Sequence, residues 1–134
     1  MSRENVEVVR SAFEAFNRGD FQAAVELMHP DVEWHTSDAF PDPATYRGRH
    51  EVRQFWETWR DTFRGFRLHL EECGPVGERY VLAIFRVSGE GAASGVGVES
   101  PAVFQVGEIR DGQVIWVGMF ASDRDALDAI QLRE

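Results

Sequence analysis

The chain has 134 residues, a size for one domain spanning 1–134, large enough to bury a core without disulfides or metals. Apolar residues make up 43% and charged residues 28%, the balance of an ordinary globular protein. The net charge of −9 repels phosphate backbones and anionic lipid surfaces, which argues against nucleic acid and membranes as partners.

Ser2 to Asn17 predicts a helix, because Val6, Val9, Phe13 and Phe16 recur at spacings of three and four and share one face. Gly19 suits the left-handed residue that ends a helix, and Asp20 suits the cap of the next one, Phe21 to Met28. His29-Pro30 stops that second helix, since a residue before proline avoids helical backbone. Asp31 to Thr36 alternates as a strand, with Val32, Trp34 and Thr36 on one face and Glu33 and His35 on the other. Ser37 to Arg49 reads as a loop. His50 to Phe63 predicts a helix with a broad face of Val52, Phe55, Trp56, Trp59 and Phe63. Strands follow at Phe66 to Cys73 and Glu78 to Ser88. GEGAASGVG, Gly89 to Gly97, is a hairpin tip or a bulged continuation, and Val98 to Arg110 reads as one long strand. Asp111-Gly112 is a two-residue hairpin signal leading to Gln113 to Ala121, and Asp123 to Leu132 closes the chain as a short helix capped by Ser122 or Asp123. Helices first and antiparallel strands last make an α+β plan, with the sheet curled around the long first helix.

One cysteine, Cys73, leaves no internal disulfide and reads as a half-buried thiol. The opening MSRENVEVV has no apolar signal region, and no run nears the roughly 18 apolar residues of a membrane helix, so a cytoplasmic location is the expectation.

Three blocks carry a family resemblance. VEVVRSAFEAFNRGDFQAAVELMHPDVEWH resembles the opening of the SnoaL-like branch of the nuclear transport factor 2-like superfamily, YRGRHEVRQFWETW its third helix, and FQVGEIRDGQVIWVGMF its last hairpin. The resemblance implies a cone-shaped α+β barrel, its curved antiparallel sheet wrapped around the N-terminal helix, with a pocket at the open end and a homodimer through the outer face of the sheet. The superfamily includes polyketide cyclases, ketosteroid isomerases and binding proteins, so fold does not settle function. Aligned through Asn17-x-Gly19-Asp20, the isomerase tyrosine falls near Ala12, its base at or beside His35, and its protonated acid near Phe104 or Gln105. The aspartate of the cyclases falls on Met119.

The candidate catalytic group is therefore His35, a residue able to take or give a proton near neutral pH, with Glu33 or Asp38 to orient the ring and Tyr46 as a donor at the mouth. Arg86 and Gln105 are polar residues in apolar strands and suit binding of a carbonyl or carboxylate if they face the cavity. Phe13, Phe16, Trp59, Trp116 and Met119 complete the expected ligand-binding set. His29, Asp31, Glu33 and His35 alternate, but His29 lies before the strand, and His50 and His69 are distant, so no metal site is expected. Three readings stay open: a cofactor-independent isomerase, cyclase or lyase acting on an apolar carbonyl compound; a non-catalytic module binding a small apolar molecule; and a dimerisation domain with a filled cone.

Overall fold

The computed structural model describes residues 2–40 and 43–134; residues 41–42 and the Asp38 side chain lie outside the described residues. The elements in chain order are α1 (Ser2–Asn17), α2 (Phe21–Glu26), β1 (Met28–His35), a 3₁₀ turn (Ser37–Ala39), β2 (Thr45–Arg47), α3 (Gly48–Thr62), β3 (Phe63–Val76), β4 (Tyr80–Gly91), β5 (Gly97–Glu99), β6 (Val103–Arg110), β7 (Gln113–Phe120) and α4 (Asp123–Arg133). The expected α+β plan holds, with a curved, unclosed seven-stranded sheet in the order β2-β1-β7-β6-β4-β3 and β5 paired to β4. β1 runs parallel to β7; the other pairings are antiparallel.

Several boundaries move, each for a local reason. β1 begins at Met28, two residues before Pro30, because Met28 already pairs with Val114 of β7, and the ladder then skips to Glu33. Pro30 has no N–H to give, and the irregularity sits at that gap. The expected loop before α3 contains β2, whose residues pair with Glu33, Trp34 and His35. The single strand expected over 98–110 is two. Pro101 interrupts it, and Ser100 folds back on Val87, donating its N–H to the Val87 carbonyl at 2.8 Å and accepting the Val87 N–H on Oγ at 2.9 Å. The Asp111-Gly112 turn has positive φ at both residues (51° and 77°), the geometry of a type I′ hairpin. Asp20 caps α2 through Ala23 N–H at 3.1 Å, and Ser122, not Asp123, caps α4 through Asp125 N–H at 3.2 Å.

α1 is laid across the concave face and pinned at both ends by asparagine. Asn5 Nδ2 donates to the Glu78 carbonyl at 2.9 Å. Asn17 meets the backbone of Leu68 twice, donating to its carbonyl at 2.8 Å and accepting its N–H at 2.9 Å. The second clamp satisfies backbone groups on the free edge of β3. The main core lies between α1, α2, α3 and the concave face and includes Val9, Phe13, Phe16, Phe21, Val52, Trp56 and Phe85. A smaller cluster on the convex face, around Tyr80, Val106 and Trp116, is covered by Ala126 and Ile130 of α4. Among the described residues no helix is long and apolar enough to cross a membrane.

Candidate functional site

Strand alternation decides which side chains reach the interior. On β4, Val81, Ala83, Phe85 and Val87 point inward; on β6, Val103, Gln105 and Gly107; on β7, Val114, Val117 and Met119. These residues, with the inner faces of α1 and α3, do not close on one another. They enclose a cavity of about 460 Å³, within the range of small-molecule sites.

Its walls are apolar and largely aromatic. Phe16 meets Trp56 edge-on at 5.6 Å, and Trp34 meets Trp56 edge-on at 5.7 Å. Trp59 stacks on Phe63 at 5.7 Å and on Phe66 at 6.0 Å, so flat rings line one side. The mouth is marked by the more exposed lining residues: Val98, 44% exposed, together with Glu99 and Pro101. The buried wall carries two polar features. Trp34 Nε1–H donates to Met119 Sδ at 3.0 Å. Gln105 is only 9% exposed, lines the cavity, and its amide has no hydrogen-bond partner among the described residues. The amide faces the open cavity, where water can reach it, so a ligand can take it without first breaking a protein hydrogen bond.

Five of the expected ligand-binding residues line this cavity: Phe13, Phe16, Trp59, Gln105 and Met119. Ala12, where the isomerase tyrosine was expected to align, lines it as well. Arg86 and Trp116 do not. Arg86 alternates with the inward Phe85 and Val87, so it lies on the convex face, where its Nε meets Glu71 Oε2 at 3.2 Å. Trp116 also faces out, under the Arg133 guanidinium at 4.0 Å.

His35 is displaced from its expected position by the same rule. Trp34 takes the concave face, so His35 takes the convex one, with its ring 5.6 Å from that of Trp116. Its Nε2 lies 3.2 Å from Glu33 Oε1 and its Nδ1 3.1 Å from Thr45 Oγ1. Arg47 Nη1 holds the other Glu33 oxygen at 3.2 Å. The expected partnership of Glu33 and His35 is present, but on the outside of the cone. Tyr46 stacks on Phe55 at 4.5 Å and lines an adjoining groove with Thr36, Glu51 and Thr58, which shares Phe40, Phe55 and Trp59 with the cavity wall. The Asp38 side chain lies outside the described residues. Among the described residues, His35, Tyr46 and the cavity amide of Gln105 do not converge, and no three His, Cys, Asp or Glu side chains group to hold a metal.

Trp34, set by alternation on one face with Val32 and Thr36, was not named among the wall residues. On a concave sheet core and wall are one face, and the Trp34 indole N–H was the signal available. Sequence reasoning also missed Glu108, which is 3% exposed on the convex side and bonded to Arg133, with Arg79 and Arg110 near its other oxygen at 3.9 and 3.7 Å.

Comparison with solved structures places the chain among similar folds. Bal32a, from a soil-derived mobile gene cassette, is 25% identical with a TM-score of 0.80, over 96% of both chains. TerC, co-crystallised with polyporic acid, is 19% identical with a TM-score of 0.75, covering 96% of this chain and 98% of its own. An NTF2-like protein of unknown function from Burkholderia pseudomallei K96243 is 21% identical with a TM-score of 0.76, covering 96% of this chain and 97% of its own. No curated protein matches the sequence. The SnoaL-like domain model matches residues 9–117, from the inner face of α1 into the last strand, and the chain therefore belongs to the SnoaL-like domain family.

Proposed function

We propose that this SnoaL-like protein binds a small, neutral, mainly apolar molecule in its cone. The observation that carries the reading is the open aromatic cavity with one unpaired amide, Gln105, on its buried wall. A filled cone would leave neither the space nor the orphan donor. Co-crystallisation of TerC, a protein of the same fold, with polyporic acid supports a small molecule as the occupant. No Lys, Arg or His lines this cavity among the described residues, and Glu99 stands at the mouth, so an anion would be buried without a counter-charge. Glu99 is also remote from the amide. It pairs with Ser88 and Gln105 with Ala83, five residues apart on β4, or about 16 Å along the strand. That separation counts against a proton transfer next to a group held by Gln105.

A catalytic reading, with His35 as base in an isomerase, cyclase or lyase, draws on the Glu33–His35 pair. The outward ring makes it the weaker reading. The two separate cleanly. Native mass spectrometry followed by denaturing extraction is expected to yield a neutral apolar compound, and His35→Ala is expected to leave its retention unchanged. An empty cone after expression and after exposure to apolar compounds refutes the binding reading, and loss of a turnover in His35→Ala favours the catalytic one.

We also infer a homodimer through the outer face of the sheet. Ile84, Phe104 and Phe120 form a cross-strand row over β4, β6 and β7, each only half-buried, and a partner copy would cover it.

A further inference from the structure

One hydrogen-bond donor holds a sulfur on the buried wall, and a second stands on the neighbouring strand. Trp34 Nε1–H already donates to Met119 Sδ at 3.0 Å. Met119 is the cross-strand neighbour of Gln105. Directly opposed side chains on antiparallel strands have Cβ atoms about 4.5–5.5 Å apart, so the Gln105 side chain stands beside Met119, on the opposite side from Trp34. The three residues form one band across β6, β7 and β1, and all three line the cavity.

A thioether is a weak acceptor, so the indole N–H loses little by exchanging it for an oxygen. Methionine is unbranched and turns aside readily. An oxygen seated where the sulfur now lies would accept from Trp34 on one side and, with the Gln105 side chain turned toward it, from the amide NH₂ on the other. A carbonyl oxygen has two lone pairs and no proton, which matches two donors. A carboxylate would add a charge that no cation on the described wall offsets.

We propose that Trp34 and Gln105 are a paired recognition site for a carbonyl oxygen, with the Met119 thioether occupying the oxygen's place when no ligand is bound. The proposal rests on the cavity being a small-molecule site and adds the functional group and the second donor.

The test uses indole ¹⁵N spectra of the full chain, whose four tryptophans give four side-chain signals. Met119→Leu, a near volume-conserving change, is expected to move one of them, that of Trp34, upfield. The probes are 2-acetylnaphthalene and 2-ethylnaphthalene, which differ by one carbonyl. Both are expected to bind. The ketone should bind about thirtyfold more tightly, the worth of two ordinary net hydrogen bonds, and it alone should shift the Trp34 signal downfield. Gln105→Leu should remove most of that preference while 2-ethylnaphthalene still binds. Equal binding of both probes with Trp34 unmoved overturns the carbonyl site and leaves the binding function standing. Binding of neither overturns both. Indole signals insensitive to Met119→Leu refute the Trp34–Met119 contact.

Discussion

At the scale of single residues, polarity and position pull apart. His35 is the most chemically able side chain of β1, yet period-two alternation with Trp34 sends it outward. We expect His35→Ala to change stability by less than about 1 kcal/mol in denaturant titration, the usual range for a half-exposed polar side chain with surface partners. Gln105 is the reverse case, an amide held in an apolar wall without a partner. Gln105→Leu should change unfolding stability by less than about 1 kcal/mol, because the amide it removes has no protein partner and can be hydrated in the open cavity. A larger fall in stability would mean that the amide is bonded in the folded protein. Cys73 is half-buried, and burial pushes its thiol above the ordinary value, the nearby Arg10 charge offsetting only part of this. Thiolate is the reactive form, so alkylation by iodoacetamide at pH 8 should run slower than for a free thiol and match it once the chain is denatured.

At the scale of elements, helices are fastened to the sheet by polar contacts as well as apolar ones. Asn17 holds the end of α1 to β3 with two hydrogen bonds to one residue. Asn17→Ala should cost about 2 kcal/mol, two net hydrogen bonds, read as a lowered denaturation midpoint. α4 is tied down through Arg133, which bonds the buried Glu108 and covers the Trp116 ring. Arg79 and Arg110 remain beside Glu108 when Arg133 is removed, so Arg133→Ala should cost about 1–2 kcal/mol, less than a buried pair broken outright. The helices themselves were legible from their spacing. What shifted were their ends and the strands near proline, because a missing N–H acts on a ladder whose partner strand is far away in sequence. Pro30 breaks the β1–β7 ladder and Pro101 divides 98–110, and neither effect shows until the neighbour strand is known.

At the scale of the molecule, charge and shape act together. The net charge of −9, the glutamate at the mouth and a described wall without cations all disfavour anions. A naphthyl carboxylate should bind at least about tenfold more weakly than the matching methyl ketone at pH 7, with the gap narrowing below the carboxylate's pKa as the acid becomes neutral. Equal affinities would require a cation from outside the described residues. Sedimentation at micromolar concentration should show twice the 15.2 kDa chain mass, and a species at the single-chain mass would contradict the dimer.

What the sequence by itself determined was local. Apolar spacing of three and four marked α1 and α3, alternation marked the strands, and Asp111-Gly112 marked the last hairpin. The three blocks resembling known relatives supplied the family. Phe13, Phe16, Trp59, Gln105 and Met119 were identified as candidate ligand residues, and all five reached the cavity. Only the tertiary structure decided which face of each strand is concave. Alternation defines two faces and ranks neither, and curvature comes from how the whole sheet wraps α1. Arg86, Trp116 and His35 lie on the convex side for that reason. The meeting of Trp34, Met119 and Gln105 was beyond sequence as well. It depends on the parallel closure of β1 onto β7, a contact across 85 residues whose register no local pattern encodes.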